Sequence, residues 1–137
     1  MEEKIEVKGY IVVSDRYYTS SDEWVKIEHN KARIGVTDYA QKQLKDIVGV
    51  ELCEVGRKVR QGEVIATLDS IKATAEVYAP LAGTIEEVNE RLVDAPELIN
   101  NDPYGDGWIA VIVPSNLEEE KRKLLTPKDY AELIKKR

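Results

Sequence analysis

One histidine, His29, and one cysteine, Cys53, are all that the 137-residue chain offers of the side chains most used as general bases and zinc ligands. With one of each, no internal disulfide and no zinc site of the usual Cys/His type can be built, and no Ser-His-Asp or Cys-His arrangement has support. His29, followed by Asn30 in "KIEHNKARI", reads as an exposed turn residue with nothing nearby in sequence to orient it as a base. Cys53, in "VELCEVG", alternates with apolar neighbours and reads as a small packed hydrophobe. What remains is an amine. In "GEVIATLDSIKATAEVYAP" two strand-forming runs meet with no Gly, Pro or Asn at the joint, and Lys72 stands at the apex. Val64, Ala66 and Leu68 alternate with Ile65, Thr67 and Asp69, and Ala73, Ala75 and Val77 alternate with Thr74, Glu76 and Tyr78. The period of two changes phase across Ser70-Ile71-Lys72. A tight hairpin reversal explains the change and projects Lys72 into solvent, where an external enzyme can reach it. An exposed lysine among 20 basic residues needs no function by itself, so the surrounding pattern must supply the argument.

The elements that must hold this tip are short and β-rich. Val, Ile, Thr and Tyr are prominent from Lys31 to Val113, and turn signals divide the sequence into strands predicted at residues 23–28, 31–36, 49–51, 58–59, 63–68, 73–78, 83–88 and 108–113. So many short strands in one small chain predict a mainly β fold, a flattened barrel or a sandwich of two antiparallel sheets. One interruption is helical: "TDYAQKQL" offers Thr37 as N-cap and Asp38 at the positive end of the dipole. After Pro114, Ser115 with Glu118 reads as a capping box, and Thr126-Pro127 opens a second C-terminal helix. The expected organisation is a single domain with an N-terminal extension (1–16), a β core (17–114) and a C-terminal helical segment (115–137). Trp24 and Trp108, with apolar neighbours, are expected to pack in the core.

Composition excludes several classes. The formal charge of −6 repels phosphate backbones, so nucleic acid is not an expected partner. No apolar run approaches the roughly 20 residues of a membrane span. The glutamates after Met1 stand where a secretory leader would carry positive charge, so a cytoplasmic protein is expected.

From Tyr17 to Asp129 the sequence resembles the glycine cleavage H-protein family of lipoyl carriers. "YYTSSDEWV", "IGVTDYAQKQL" and "VELCEVG" are similar to its opening segments, and "LDSIKATAEVYAPLAG" to its lipoylation segment. Most specific is "EVNERLVDAPELINNDPYGDGW", with Asn89, Pro96, Leu98, Ile99, Asn100, Pro103, Gly107 and Trp108. The resemblance implies a lipoyl/biotinyl-type fold and a lipoate joined in amide linkage to Lys72, with Asp69, Ser70, Ile71 and Ala73 as the lipoylation motif. Biotin carriers usually flank their lysine with methionines, which are missing here. It further implies a carrier that catalyses nothing itself. Such a protein takes an aminomethyl group from glycine decarboxylase, yields it to an aminomethyltransferase, and is reoxidised by dihydrolipoyl dehydrogenase after a lipoate ligase or lipoyl transferase has attached the arm. Asp69 and Glu76, with Glu23 and Asp38, are candidates for an acidic partner-recognition surface, set against ordinary surface solvation. The chain departs from the family at Asp22, Gln43, Lys45-Asp46, Gly49 and Cys53. These departures keep a second carrier reading open, an H-protein-like lipoate protein serving sulfur oxidation with a heterodisulfide-reductase-like complex. A non-lipoylated interaction module on the same scaffold is the reading from another class, and the intact "SIKA" argues against it.

Overall fold

Branched Val, Ile and Thr crowd the middle of the sequence, and such side chains fit a pleated surface better than a helix. The computed structural model, which describes residues 3–137, follows that preference. In chain order the strands are β1 (Lys4–Val7), β2 (Tyr10–Val13), β3 (Tyr17–Tyr18), β4 (Glu23–Glu28), β5 (Lys31–Val36), β6 (Ile47–Leu52), β7 (Lys58–Val59), β8 (Val64–Ser70), β9 (Thr74–Tyr78), β10 (Gly83–Val88) and β11 (Ala110–Pro114). The helices are α1 (Asp38–Leu44), α2 (Arg91–Asp94), α3 (Leu98–Asn101), α4 (Leu117–Lys121) and α5 (Pro127–Lys136). A six-stranded antiparallel sheet runs β3-β4-β5-β11-β10-β7, and a three-stranded one runs β6-β8-β9. Ile34, Val36, Ile85 and Ile112 of the larger sheet share one buried cluster with Ile47, Ile65, Leu68 and Val77 of the smaller. That shared apolar layer makes a flattened sandwich and holds the β8–β9 hairpin from beneath.

A third sheet was not foreseen. Residues assigned to an extension form the β1–β2 hairpin, whose first two preceding positions lie outside the described residues. Its apolar side, together with α5, covers a second buried cluster of Val12, Tyr18, Trp24, Tyr130 and Ile134. Tyr18 and Tyr130 stack with ring centroids 4.6 Å apart. Trp24 is fully buried as expected, whereas Trp108 is half-buried, with the Arg33 guanidinium over its ring at 5.1 Å.

Local chemistry explains the elements around the site. His29 and Asn30, both at positive φ, form the two-residue loop that joins β4 to β5. Thr37 caps α1 by accepting from the Ala40 N–H at 3.2 Å and also bonds the Tyr130 hydroxyl at 2.7 Å. Thr126 caps α5 in the same way, with Pro127 at its start. The Ser115–Glu118 capping box does not form: α4 begins one residue later, after Asn116, and has no side-chain cap. The stretch around "APELINNDPYGDG" carries α3 followed by a run of turns. Asn89 Nδ2 ties it down by donating to the carbonyls of Asp106 and Trp108 at 2.9 and 2.8 Å.

Gly35 lies directly opposite Trp24 across β4 and β5. A Cβ there would stand 2.6 Å from the indole ring, which is itself fixed by its N–H to the Pro103 carbonyl at 2.9 Å. Gly35→Ala is therefore expected to lower the unfolding free energy by about 1–3 kcal/mol in urea titrations, the usual effect of overpacking a fixed core residue. An unchanged midpoint would show that the indole can move aside.

Candidate functional site

β8 and β9 run in register through the pairs Leu68–Ala75 and Asp69–Thr74, so only Ser70, Ile71, Lys72 and Ala73 remain to turn the chain. The Ser70 N–H donates to the Ala73 carbonyl at 2.8 Å. Its hydroxyl accepts from the N–H groups of Lys72 at 3.1 Å and Ala73 at 2.9 Å. A hydroxyl bonded to backbone two and three residues on is the physical reason a turn without glycine or proline can form here. Ile71 is 66% exposed, and Lys72 and Ala73 are exposed beside it. The lysine does not simply stand out into solvent: Nζ leans toward the end of α1 and donates to the Gln43 carbonyl at 3.2 Å. The Ile71 N–H donates to the Asp46 carbonyl at 3.1 Å. Asp69 is half-buried and accepts from the Thr74 hydroxyl at 2.9 Å, which braces the last rung before the turn.

A groove runs beside this tip. Ala40, Leu44 and Ala75 line it above the buried Val36, Leu68 and Val77, Asp22 and Glu76 stand at it with the buried Glu23 beneath, and Gln43, whose carbonyl receives Lys72, lines it as well. The exposed amine thus stands near a groove that carries both apolar side chains and carboxylates. Among the described residues no group of three or more His, Cys, Asp or Glu could hold a metal ion.

Of the four acids expected to form a recognition surface, the structure leaves one fully exposed. Glu76 is exposed and Asp69 is half-buried. Glu23 is only 1% exposed, and its oxygens accept from the hydroxyls of Thr19 and Ser21 and from the Tyr78 N–H. Asp38 is 7% exposed and accepts from the Ile11 N–H and from Gln41 Nε2, each at 2.9 Å. Both are corrected from surface residues to internal acceptors. Their oxygens satisfy partly buried backbone donors, the N–H groups of Tyr78 and Ile11. Asp22, which stands beside the groove, is engaged by Arg137 at 2.7 Å and by the Tyr130 hydroxyl at 2.9 Å. Cys53 is half-buried against the core, as expected, and burial pushes its thiol above the ordinary range.

The residues that anchor the tip from outside its hairpin, Gln43 and Asp46, act through backbone carbonyls. Residue type carries no signal of that kind, so sequence reasoning missed them. Asn100, which fixes the segment they belong to, stood in the most specific motif without an assigned role.

Burial pushes the Glu23 carboxyl above its ordinary value of 4.5, although the Ser21 and Thr19 hydroxyls and the Tyr78 N–H pull the other way. Between the ordinary and the raised value the folded chain binds more proton than the unfolded chain. The stabilisation from Glu23 is therefore complete below the ordinary value and is lost as pH rises through the folded one. The stability difference between wild type and Glu23→Gln, followed by urea unfolding from about pH 4 to about pH 7, is expected to move against wild type as pH rises. A difference independent of pH would contradict this.

Comparison with known proteins places the geometry in a family. The model of the family described as glycine cleavage H-protein matches residues 16–137. A probable glycine cleavage system H protein of Aeropyrum pernix is 55% identical over 136 residues, which cover 98% of this chain and 94% of that protein. A probable glycine cleavage system H protein 1 of Saccharolobus solfataricus is 50% identical over 133 residues, covering 96% of this chain and 97% of the other. The crystal structure of a glycine cleavage system H protein from Mycobacterium marinum superposes with a TM-score of 0.79 at 38% identity, covering 87% of this chain and 95% of that one. The chain belongs to the glycine cleavage H-protein family.

Proposed function

We propose that this chain is a lipoate-bearing carrier that is modified at Lys72 and catalyses nothing itself. It moves between glycine decarboxylase, an aminomethyltransferase and dihydrolipoyl dehydrogenase in the cytoplasm. The observation that carries the reading is the Lys72 amine, exposed on a turn whose backbone is fixed by the Ser70 hydroxyl and the Asp46 carbonyl. The lipoyl group, when bound, supplies a dithiolane that accepts the aminomethyl group and the reducing equivalents of glycine cleavage. The chain's own residues supply attachment, placement and a place to rest.

Attachment needs an amine that can lose its proton and reach an activated carboxyl held by a lipoate ligase or lipoyl transferase. Among the described residues Nζ donates to a single carbonyl, that of Gln43, and no carboxylate anchors it. Acylation removes one positive charge, so the formal charge goes from −6 to about −7. The amide keeps one N–H on the same nitrogen, which can still donate to the Gln43 carbonyl. Leu44, with the partly exposed Ala40 and Ala75, offers the arm an apolar bed, and the exposed Glu76 places a carboxylate beside it. A cation at the end of the arm would meet the opposite charge of Glu76 there. The relatives compared here bear the glycine cleavage name, and no feature of the tip or groove favours the sulfur-oxidation reading.

Co-expression with a lipoate ligase is expected to raise the intact mass by one lipoyl unit, and Lys72→Ala is expected to abolish the gain. An unmodified wild type, under conditions that lipoylate a control carrier, would refute the attachment site. The modified chain is further expected to support glycine-dependent bicarbonate exchange by glycine decarboxylase. Failure of a fully lipoylated sample to do so would move the assignment to another lipoate pathway.

A further inference from the structure

The link between α1 and β6 is held in an uncommon conformation. Lys45 ends α1 with φ 66° and ψ −150°, a region that residues with side chains avoid and glycine tolerates. Its N–H still donates to the Gln41 carbonyl at 2.9 Å. Beyond it, successive carbonyls part company. That of Lys45 faces α3 and accepts from Asn100 Nδ2 at 2.9 Å, while that of Asp46 faces the hairpin tip and accepts from the Ile71 N–H at 3.1 Å. Two residues before the strained position, the Gln43 carbonyl takes the Lys72 ammonium at 3.2 Å. Both ties from the tip to α1 and its link therefore land on residues 43–46.

Asn100 holds that link with every part of its amide. Besides the Lys45 carbonyl, Nδ2 donates to Gln41 Oε1 at 3.0 Å, and Oδ1 accepts from the Ile47 N–H at 2.9 Å. A backbone carbonyl on one side and a backbone N–H on the other permit only one orientation of the amide. Gln41 then passes the order on, its Nε2 donating to the buried Asp38 at 2.9 Å. Ile47, which Asn100 also fixes, is the register partner of Ser70 at the base of the turn.

We propose that Asn100 is a positioning residue for Lys72. By pinning the Lys45 carbonyl and the Ile47 N–H it keeps the strained link in place, so that the Asp46 and Gln43 carbonyls meet the tip and set the direction in which the amine is offered to the attaching enzyme. The enzymatic half of this inference rests on Lys72 being the attachment site; the clamp itself does not.

The test uses the full-length protein, with Asn100→Asp, which puts an oxygen against the Lys45 carbonyl, and Asn100→Ala, which adds no charge. Amide hydrogen exchange at Ile71, corrected for the factor common to amides of β4 and β5, is expected to speed up about tenfold, the scale of one lost hydrogen bond. The kcat/KM for lipoylation by a lipoate ligase supplied with lipoate and ATP is expected to fall by at least about threefold, a small part of what precise orientation of a reacting group can be worth. Adding Lys45→Gly to either variant is expected to restore much of the Ile71 protection, because glycine takes this backbone conformation unaided. Ile71 exchange that follows only the common factor, or no recovery with glycine, would overturn the clamp. Faster exchange with unchanged kcat/KM would overturn its role in modification. A wild type that accepts no lipoyl group would overturn the carrier reading and the enzymatic half with it, while the exchange result would still decide the clamp.

Discussion

The role proposed for Lys72 asks for a backbone that stays in place and a side chain that does not. The Ser70 hydroxyl resolves that conflict within four residues. By accepting from the amides of Lys72 and Ala73 it fixes the turn from inside, so neither glycine nor proline is required, and nothing it does touches the lysine beyond its backbone. Replacing those bonds with a glycine turn would leave more conformations open to the unfolded chain. The strands behind it supply the rest: Leu68 is fully buried and Val77 nearly so, which fixes which face of the hairpin meets the core.

The acids near the tip divide by burial rather than by sequence position. Glu23 and Asp38 lie on the inside and complete the hydrogen bonding of Tyr78 and Ile11, while Glu76 faces water. Removing either buried carboxylate would leave a backbone donor without its partner, a cost that belongs to folding.

Much of the fold was legible because the sequence obeys simple periodicities. β4, β5, β7 and β10 begin and end where alternation and turn residues place them, and the Thr37 cap and the Thr126-Pro127 start follow from local chemistry. Lys72 was legible for the same reason, as the point where two alternating runs change phase. The misses have a common physical origin. β1 and β2 are short, and their support comes from α5 and α1, which are distant in sequence. Acidity was mistaken for exposure at Glu23 and Asp38 because the donors that draw them inward, on Tyr78 and Ile11, are backbone groups. At Asn100 the residue type announced hydrogen bonding, but its partners at 41, 45 and 47 could be found only in three dimensions.

Among the described residues β9 is the outermost strand of its sheet, with β8 on one side and no strand on the other. Such an edge invites a foreign chain to extend the sheet, a route to aggregation. Here the outward Tyr78 N–H is already occupied by Glu23, and Glu76 adds a charge to the same strand. The Glu23 carboxylate that completes the fold beside the groove thus also closes part of this edge to a foreign strand.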